Sequence, residues 1–428
     1  MLGNQLGHQT KFNKTGKTNI NILMFFFIWP FGSLIYSIIN YRSYFSKNIV
    51  WFFTIFYGLA IVTAGEDLDA YRYSQYFTMM AEHRYSFNDV FGKLYLDSTK
   101  TDIYASLLMY FVSRFTSNPQ MFYGFVGLVF GYFYSRNIWI LIDNEIKKIS
   151  FMQGLLFGAF SFIVAIHSLQ FIRFSTASVI FLYGSLIVIL KNKNFGYFWI
   201  LLTPLVHFSF VYPAILFVIY KYIPKKIDLY IVLFVFSTFV IETKLGVLTD
   251  LLNTYVPSFL QEKVDSYTNP LYASSVIDSL YTSNWYIAYR SAMLSYLSYA
   301  YIAYIYLQGR RMLVLNREYY NLFCFILIFY SISNILGIIP SMDRFINLSL
   351  YFLFAFIIIF YRLGPRTSLF KFINFISLPI LIVYIVVGIR ISMETSGITL
   401  FIGNPVIALV YNESEPIIEA IKRFINFL

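Results

Sequence analysis

Three ionisable side chains interrupt strongly apolar parts of this chain and are the first candidates for chemistry. Arg173, His207 and Arg344 each lie inside or beside a segment that is apolar enough to enter a bilayer. A charged side chain at a helix centre costs roughly 2.5–3.5 kcal/mol on insertion scales, and such residues often mark substrate paths or catalytic sites. Arginine can bind phosphate through two parallel hydrogen bonds, and histidine can accept a proton near neutral pH. The three residues therefore predict a site for a charged substrate at a membrane face.

Further polar residues stand near these three in the sequence. Gln170 lies shortly before Arg173, Asp343 directly precedes Arg344, and Arg290 lies near the start of a later apolar segment. Arg290 is a further candidate for phosphate binding, while Gln170 and Asp343 could contact the substrate. The structural alternatives are that Arg173 extends to the membrane interface and that Asp343 and Arg344 merely neutralise each other.

An acidic and aromatic stretch follows an early apolar segment. Glu66 and Asp69 could accept a proton or bind sugar hydroxyls, and Tyr71 and Arg72 could contact the same substrate. A solvated loop start is the alternative interpretation of this charged run. In the topology given below, the stretch lies on the same side of the membrane as the three ionisable residues.

The composition identifies the class of protein that must position these residues. Of 428 residues, 58% are hydrophobic and 12% are charged, whereas a soluble domain carries about 25% charged residues. Apolar stretches of roughly 20 residues recur along the chain, as expected for helices that cross a bilayer. We therefore predict an all-α, polytopic integral membrane protein that forms a single transmembrane domain over residues 1–428.

Charge and cysteine content exclude several other classes of function. The net charge is +11, but the basic residues lie in short connectors between apolar segments. That distribution follows the positive-inside rule and does not predict nucleic-acid binding. The single cysteine, Cys324, excludes an intramolecular disulfide, and the four histidines show no metal-ligand spacing. We expect no cofactor and no metal ion.

The apolar pattern predicts about 12 transmembrane helices, within a range of about 11 to 14. Residues 103–115 are apolar but short, so they are expected along the interface or as a re-entrant piece. The predicted segments are residues 20–41, 49–64, 121–142, 151–170, 174–190, 195–206, 208–220, 227–243, 285–307, 319–340, 345–361 and 372–390.

The connectors between these segments predict the topology. If the crossings alternate, the basic connectors are cytoplasmic, and the polar connectors 65–102 and 244–284 are extracytoplasmic. Residues 195–220 are too long for one ordinary span and have lysines at both ends. We therefore expect a hairpin of two short helices that turns near His207 on the outer side. Residues 416–428 have apolar side chains at helical spacing, which predicts an amphipathic helix on the membrane.

In the order and spacing of its candidate polar and aromatic residues, the chain resembles the EpsG/Wzy group of bacterial polysaccharide polymerases. The order and spacing of the motifs match over nearly the whole chain. The chain departs from the group at Phe174, where a glutamine is usual, and in its long N-terminal tail. The residues that carry the resemblance are Asp69, Tyr71 and Tyr76, then Gln170 and Arg173, then His207 and Ser209, and finally Arg344.

The resemblance implies a many-helix fold related to other glycosyltransferases that use polyprenyl-linked sugars, the GT-C-like enzymes. It implies a multi-pass protein of the bacterial inner membrane with its site at the periplasmic or outer leaflet. The implied reaction moves a growing chain from its undecaprenyl diphosphate to a hydroxyl of the next lipid-linked repeat unit. The expected partners are these lipid-linked oligosaccharides, as donor and acceptor, and membrane lipid. A chain-length regulator protein is a further candidate partner.

The candidate residues suit this chemistry. The leaving diphosphate is an anion, and two or three of the arginines could stabilise its growing charge without a metal. The attacking hydroxyl needs a base, for which His207 is the first candidate and Asp69 or Glu66 the second.

Other functions stay open at this point. A ligase would transfer the chain to a lipid A core or a protein. A flippase for the same lipid-linked unit should carry charges through the membrane depth and show two-fold repeat character. The sequence instead predicts candidates at one face and shows no internal repeat. A structural partner in an export complex would need no such polar residues.

Overall fold

The structure is a computed structural model, and it describes residues 16–63, 69–91, 102–142, 149–240, 285–337, 339 and 341–427. The regular elements of these residues are helices, with one isolated β-bridge between Ile61 and Ser396. Two 3-10 turns, Ile166–Gln170 and Phe208–Phe210, lie between α-helices. In chain order the α-helices are α1 (Gly16–Ile28), α2 (Pro30–Ile39), α3 (Ser46–Leu59), α4 (Asp69–His83), α5 (Phe87–Phe91), α6 (Ile103–Val112), α7 (Pro119–Ile142), α8 (Phe151–Ile163), α9 (Ile172–Lys191), α10 (Phe195–Val206), α11 (Val211–Tyr220), α12 (Ile227–Val240), α13 (Trp285–Gln308), α14 (Arg310–Leu315), α15 (Arg317–Leu336), α16 (Arg344–Leu363), α17 (Ser368–Glu394), α18 (Thr399–Ile402), α19 (Pro405–Val410) and α20 (Ile417–Phe427).

Six helical segments of this part of the chain are long and apolar enough to cross a membrane. A spanning helix needs about 20 predominantly apolar residues, because each residue adds about 1.5 Å. The protein is therefore an all-α membrane protein, as its composition predicts. The six segments are Pro119–Ile142, Phe151–Gln170, Ile172–Lys191, Arg317–Leu336, Arg344–Leu363 and Ser368–Glu394. The shorter apolar helices α6, α10, α11 and α12 pack against these segments, whereas α2 packs against α3.

Some predicted segments take a different form in the structure. The first, at 20–41, consists of α1 and α2, which Trp29 separates. Pro30 is the first residue of α2, a position where its missing N–H costs little. The connector 65–102 contains α4 and α5, and the buried Phe77 and Met80 of α4 follow a helical period. The connector 244–284 lies outside the described residues.

The predicted hairpin at residues 195–220 is present. Helix α10 ends at Val206, and α11 begins after the short turn that follows His207. The Tyr212 hydroxyl lies 3.1 Å from Ser333 Oγ near the end of α15. The Tyr220 hydroxyl donates to a carbonyl near the start of α15, that of Asn321. Helix α11 therefore runs back along α15, away from the end of the bundle that holds His207.

The chain ends in the amphipathic helix that the sequence predicts. Helix α20 packs against α17 and leaves Phe424 and Ile425 exposed, while Lys422 and Glu419 form an ion pair on its surface. An exposed apolar stripe beside charged residues is typical of a helix that lies in the membrane interface.

Other helix ends meet at the end of the bundle that holds His207. The Tyr123 hydroxyl, near the start of α7, donates to the carbonyl of Ala70 at the start of α4. His167 Nδ1, in the turn before α9, lies 2.8 Å from Ser392 Oγ near the end of α17. Side chains that are distant in sequence are thereby brought to one end of the bundle.

Close backbone contact holds α3 against α7. A Cβ at Gly127 would lie 2.3 Å from the carbonyl oxygen of Thr54, and a Cβ at Gly58 would lie 2.2 Å from that of Tyr123. Real atoms do not approach so closely, so only glycine permits this helix spacing. By contrast, a Cβ at Gly154 in α8 would meet nothing within 4 Å.

We predict that Gly127→Ala destabilises the protein by about 1–3 kcal/mol, the usual cost of overpacking. The matched control is Gly154→Ala, which should be neutral or slightly stabilising because alanine is the better helix former. Thermal unfolding of both variants in the same detergent measures the difference. Equal unfolding temperatures would show that the α3–α7 contact does not require glycine.

Candidate functional site

A buried carboxylate, that of Asp102, lies at the centre of the candidate site. Its side chain is 4% exposed. Oδ2 accepts a hydrogen bond from Arg173 Nη1 at 2.7 Å and lies 3.0 Å from His207 Nδ1. Oδ1 accepts the backbone N–H of Phe208 at 2.7 Å. One carboxylate therefore joins the start of α6, the start of α9 and the turn between α10 and α11.

Asp102 occupies the N-cap position of α6, where an aspartate usually accepts N–H groups of its own helix. Here the side chain makes no such bond. Both oxygens are instead directed at partners from other helices. The local sequence places the residue at a helix start, and tertiary contacts decide the direction of its carboxylate.

Burial and hydrogen bonding act in opposite directions on the pKa of Asp102. Burial raises the pKa, but the hydrogen bond with His207 and the charges of His207 and Arg173 outweigh it and hold the pKa below the ordinary 3.8. Asp102 is therefore a carboxylate at neutral pH.

Burial is also the largest influence on His207, and it lowers the pKa. The hydrogen bond with Asp102 and the charge of that carboxylate raise the pKa, while the charges of Arg173 and Arg344 lower it. The net pKa lies below the ordinary 6.5, so the imidazole is neutral at pH 7. The nearby carboxylate makes Nδ1 the protonated nitrogen, which leaves Nε2 free to accept a proton.

Arg173 is the second member of the cluster. Its guanidinium lies 5.8 Å from the ring centre of Tyr73, one turn into α4, and it interacts with the hydroxyl of that residue. The side chain is 40% exposed. A guanidinium has five N–H donors, and Asp102 uses one of them. Arg173 can therefore contact a ligand while it remains bonded to Asp102.

Arg344, the first residue of α16, lies beside this cluster. Its guanidinium is 5.8 Å from the ring centre of Phe174, and the same ring packs edge-on against His207 at 5.8 Å. Arg344 is exposed and forms no ion pair within the described ranges of the chain. Its positive charge therefore remains available to an anion.

A cavity of about 310 Å³ lies between α8, α9 and α16. Arg344, Asn347, Ser168 and Ser175 supply polar groups to its wall, and Phe174 links it to His207. Apolar side chains form the rest of the lining, among them Ile163, Val164, Phe171 and Leu348. This combination suits a ligand with an anionic head and an apolar part.

The structure places the predicted arginines and the histidine in two groups. Arg173, His207 and Arg344 lie together, as the topology predicts. Arg290 lies apart, where its Nη2 contacts the carbonyl of Phe162 at 3.3 Å.

The predicted carboxylate-bearing stretch lies at the start of α4. Asp69 and Arg72 form an exposed ion pair at 2.7 Å, which agrees with the solvated alternative. Tyr71 is half-buried on the same helix, and Glu66 lies outside the described residues. Asp69 lies one turn before Tyr73 and influences its hydroxyl.

The two remaining candidates take different positions at the edge of the site. Gln170 is buried at the end of the 3-10 turn that precedes Arg173. Asp343 is exposed and does not pair with Arg344. The local neutralisation that the sequence left open is therefore not observed in the structure.

Sequence reasoning missed Asp102. The only local signal is an aspartate directly before a short apolar run, which predicts a helix N-cap. Nothing in the local pattern indicates that Arg173 and His207, which are 71 and 105 residues away, share its carboxylate.

We predict that Asp102→Ala lowers the free energy of unfolding by about 1–3 kcal/mol, because it leaves buried donors without their acceptor. The matched control is Asp69→Ala, which removes an exposed ion pair and should cost about 0–1 kcal/mol. Thermal unfolding in detergent compares the two. Similar losses in both variants would argue against a structural role for the buried carboxylate.

The same pair of variants gives a pH test. The folded pKa of Asp102 is depressed, so its stabilisation is complete above the unfolded pKa and is lost as the pH falls through the folded value. The difference in unfolding temperature between the wild type and Asp102→Ala should therefore shrink below about pH 4. A difference that stays constant to lower pH would contradict the ionised state of Asp102.

Comparisons with known proteins give no relative of this chain. No protein-family model matches it, and no curated protein or solved structure matches it either.

Proposed function

We propose that the chain is a metal-independent membrane glycosyltransferase. In this proposal it polymerises oligosaccharide repeat units carried on undecaprenyl diphosphate, as an O-antigen or exopolysaccharide polymerase does. The observation that supports the proposal most is the arrangement around Asp102. A neutral histidine and two arginines lie together at one end of a membrane bundle, beside a cavity that Arg344 lines. The resemblance to the EpsG/Wzy group supports the same function.

The arginines suit the departure of a diphosphate. In the transfer, the bond between the anomeric carbon and the diphosphate oxygen breaks, and negative charge grows on that oxygen. Arg344 has no carboxylate partner within the described residues, and Arg173 retains unused N–H groups. Fixed cations at the place where charge develops lower the barrier more in a water-poor site than in water.

His207 suits the activation of the acceptor hydroxyl. The new glycosidic bond forms as the hydroxyl oxygen attacks the anomeric carbon and its proton passes to a base. Nε2 of His207 can accept that proton, and Asp102 can stabilise the resulting imidazolium through Nδ1. Asp102 thus acts as a positioning residue, since it holds the tautomer and orientation of the ring.

The membrane setting suits a substrate on a lipid carrier. We propose about 12 crossings in a fold related to the GT-C-like enzymes, with the site on the periplasmic side of the bacterial inner membrane. Lys193 and Lys225 lie in connectors at the opposite end from His207, where Arg310 also begins α14, and the positive-inside rule makes that end cytoplasmic. The lipid carriers would lie between helices, where their tails meet apolar side chains.

We predict that Arg344→Ala and His207→Ala abolish the ladder of polymerised surface polysaccharide in the native host. Loss of a charge-stabilising group or a base typically costs about 10²–10³-fold and 10²–10⁴-fold in rate, respectively. Gel analysis of the polysaccharide measures the ladder, and immunoblotting confirms normal protein levels. Single repeat units should remain attached to their acceptor.

The control for this experiment is Arg310→Ala, which removes an exposed pair with Asp228 at the opposite end of the bundle. It should leave the ladder intact. A normal ladder in Arg344→Ala and His207→Ala would remove both residues from the mechanism. Complete loss of attached sugar would point to a ligase or flippase.

The pH dependence of kcat/KM gives a separate test of His207. This ratio reports the free enzyme, in which the pKa of His207 lies below 6.5. Activity should therefore rise with pH and reach half its maximum below pH 6.5. Asp102→Asn should move this midpoint to lower pH, because Asp102 raises the pKa of the imidazole. Asp69→Asn should leave the midpoint unchanged, and an upward shift in Asp102→Asn would contradict the assignment.

A further inference from the structure

A second pair of arginines lies between α13 and α17. Tyr301 in the second half of α13 bonds Asn374 near the start of α17. The Arg290 guanidinium, near the start of α13, stacks over the ring of Tyr384 in the second half of α17 at 4.2 Å, so the two helices are antiparallel. The Arg390 guanidinium lies 5.1 Å from the ring centre of Tyr286. Each arginine thus packs on a tyrosine of the opposite helix.

The positive charge of this pair is only partly compensated. Arg390 Nη1 lies 3.0 Å from Glu394 Oε1. Arg290 has no carboxylate partner within the described residues; its Nη2 contacts the carbonyl of Phe162, and its buried Nε has no hydrogen-bond partner. Among the described residues, two guanidinium groups and one carboxylate leave a net charge of +1. The stacked rings fix both guanidinium groups in place without neutralising them.

The pair is separate from the site around Asp102 but lies close to it. The end of α8 and the turn that follows it contact both places. Ile163, Val164 and Ser168 line the cavity that holds Arg344. Phe162 contacts Arg290, and His167 bonds Ser392 on α17. A single short segment therefore divides the two groups of cations.

The surroundings of the second pair are apolar and exposed. Trp285 and Tyr289, which flank it on α13, are 65% and 58% exposed. Val386 and Ile389, which flank it on α17, are 57% and 46% exposed. In a membrane protein such a surface faces lipid, and tryptophan and tyrosine mark the level of the head groups.

We propose that Arg290 and Arg390 bind the phosphate group of a membrane lipid that approaches from the bilayer between α13 and α17. The uncompensated positive charge of the two arginines attracts an anion. The exposed apolar residues beside them would contact the hydrocarbon part of a lipid that carries this anion. Two lipids carry this chemistry, namely a polyprenyl diphosphate and an anionic phospholipid. The site goes beyond the proposed function, because a transfer reaction centred on His207 does not require it.

Native mass spectrometry of the full chain in detergent tests this proposal. Two probes are titrated separately, undecaprenyl diphosphate and phosphatidylglycerol. Arg290→Gln and Arg390→Gln should each weaken the binding of at least one probe by roughly tenfold or more, as expected for loss of a charge-assisted contact. Arg290→Lys keeps the charge and should retain more binding than Arg290→Gln, which separates loss of charge from faulty folding.

The matched control is Arg136→Gln. Arg136 also stacks on aromatic rings, those of Trp51 and Tyr132, but it donates to the side chain of Asn48. It lies in the second half of α7, away from the end of the bundle that holds His207. This variant should bind both lipids like the wild type.

The outcomes decide between the sources of the phosphate. A loss confined to undecaprenyl diphosphate supports a site for the lipid carrier, and a loss confined to phosphatidylglycerol supports one for bulk lipid. Unchanged binding of both lipids in the two glutamine variants would overturn the proposal. Because binding is measured without turnover, the result does not depend on whether the chain is a polymerase.

Discussion

The buried carboxylate of Asp102 is the constraint on which the candidate site depends. An ionised group removed from water must be paired or hydrogen-bonded, since an unpaired charge in an apolar interior is very costly. Both oxygens of Asp102 meet this requirement through Arg173, His207 and the N–H of Phe208. A buried ion pair adds little net stability over apolar packing. Its main consequence here is positional, because it fixes three elements relative to one another.

The site is built from helix ends rather than helix faces. Asp102 precedes α6, Arg173 lies in the first turn of α9, Arg344 begins α16, and His207 lies in the break after α10. The N-terminus of a helix carries a partial positive charge, which disfavours a cation and favours an anion. Two arginines at such positions raise the local positive potential, and an anionic ligand relieves it. The placement therefore argues for an anionic ligand more strongly than the arginines would in mid-helix.

Much of the architecture follows from short-range features of the sequence. The length of the apolar runs predicts the long spans, and the lysines on both sides of residues 195–220 predict the hairpin at His207. Once the hairpin is placed, alternation brings Arg173, His207 and Arg344 to one end. The break at Pro30 was harder to predict, because residues 20–41 have the appearance of one continuous apolar span. The helices within 65–102 were harder to predict, because that connector is polar.

The partners of individual side chains could not be predicted. Asp102 has the appearance of an ordinary N-cap, and its connection to His207 spans 105 residues. The separation of Arg290 from Arg173 was equally hidden, because it depends on how α13 packs against α17, which brings Arg290 over Tyr384. Charge placement along a chain predicts the end of the bundle at which a residue lies. It does not predict which neighbours that residue meets there.

The distribution of charge within the site gives each residue a distinct role. Asp102 compensates Arg173, so the uncompensated charge resides mainly on Arg344. The positive charges of Arg173 and Arg344 help to keep His207 neutral. An anion that binds Arg344 would offset this effect and raise the pKa of His207. In the proposed transfer, an anionic substrate would thus make the imidazole a stronger base when the acceptor hydroxyl loses its proton, and electrostatics would couple Arg344 to His207.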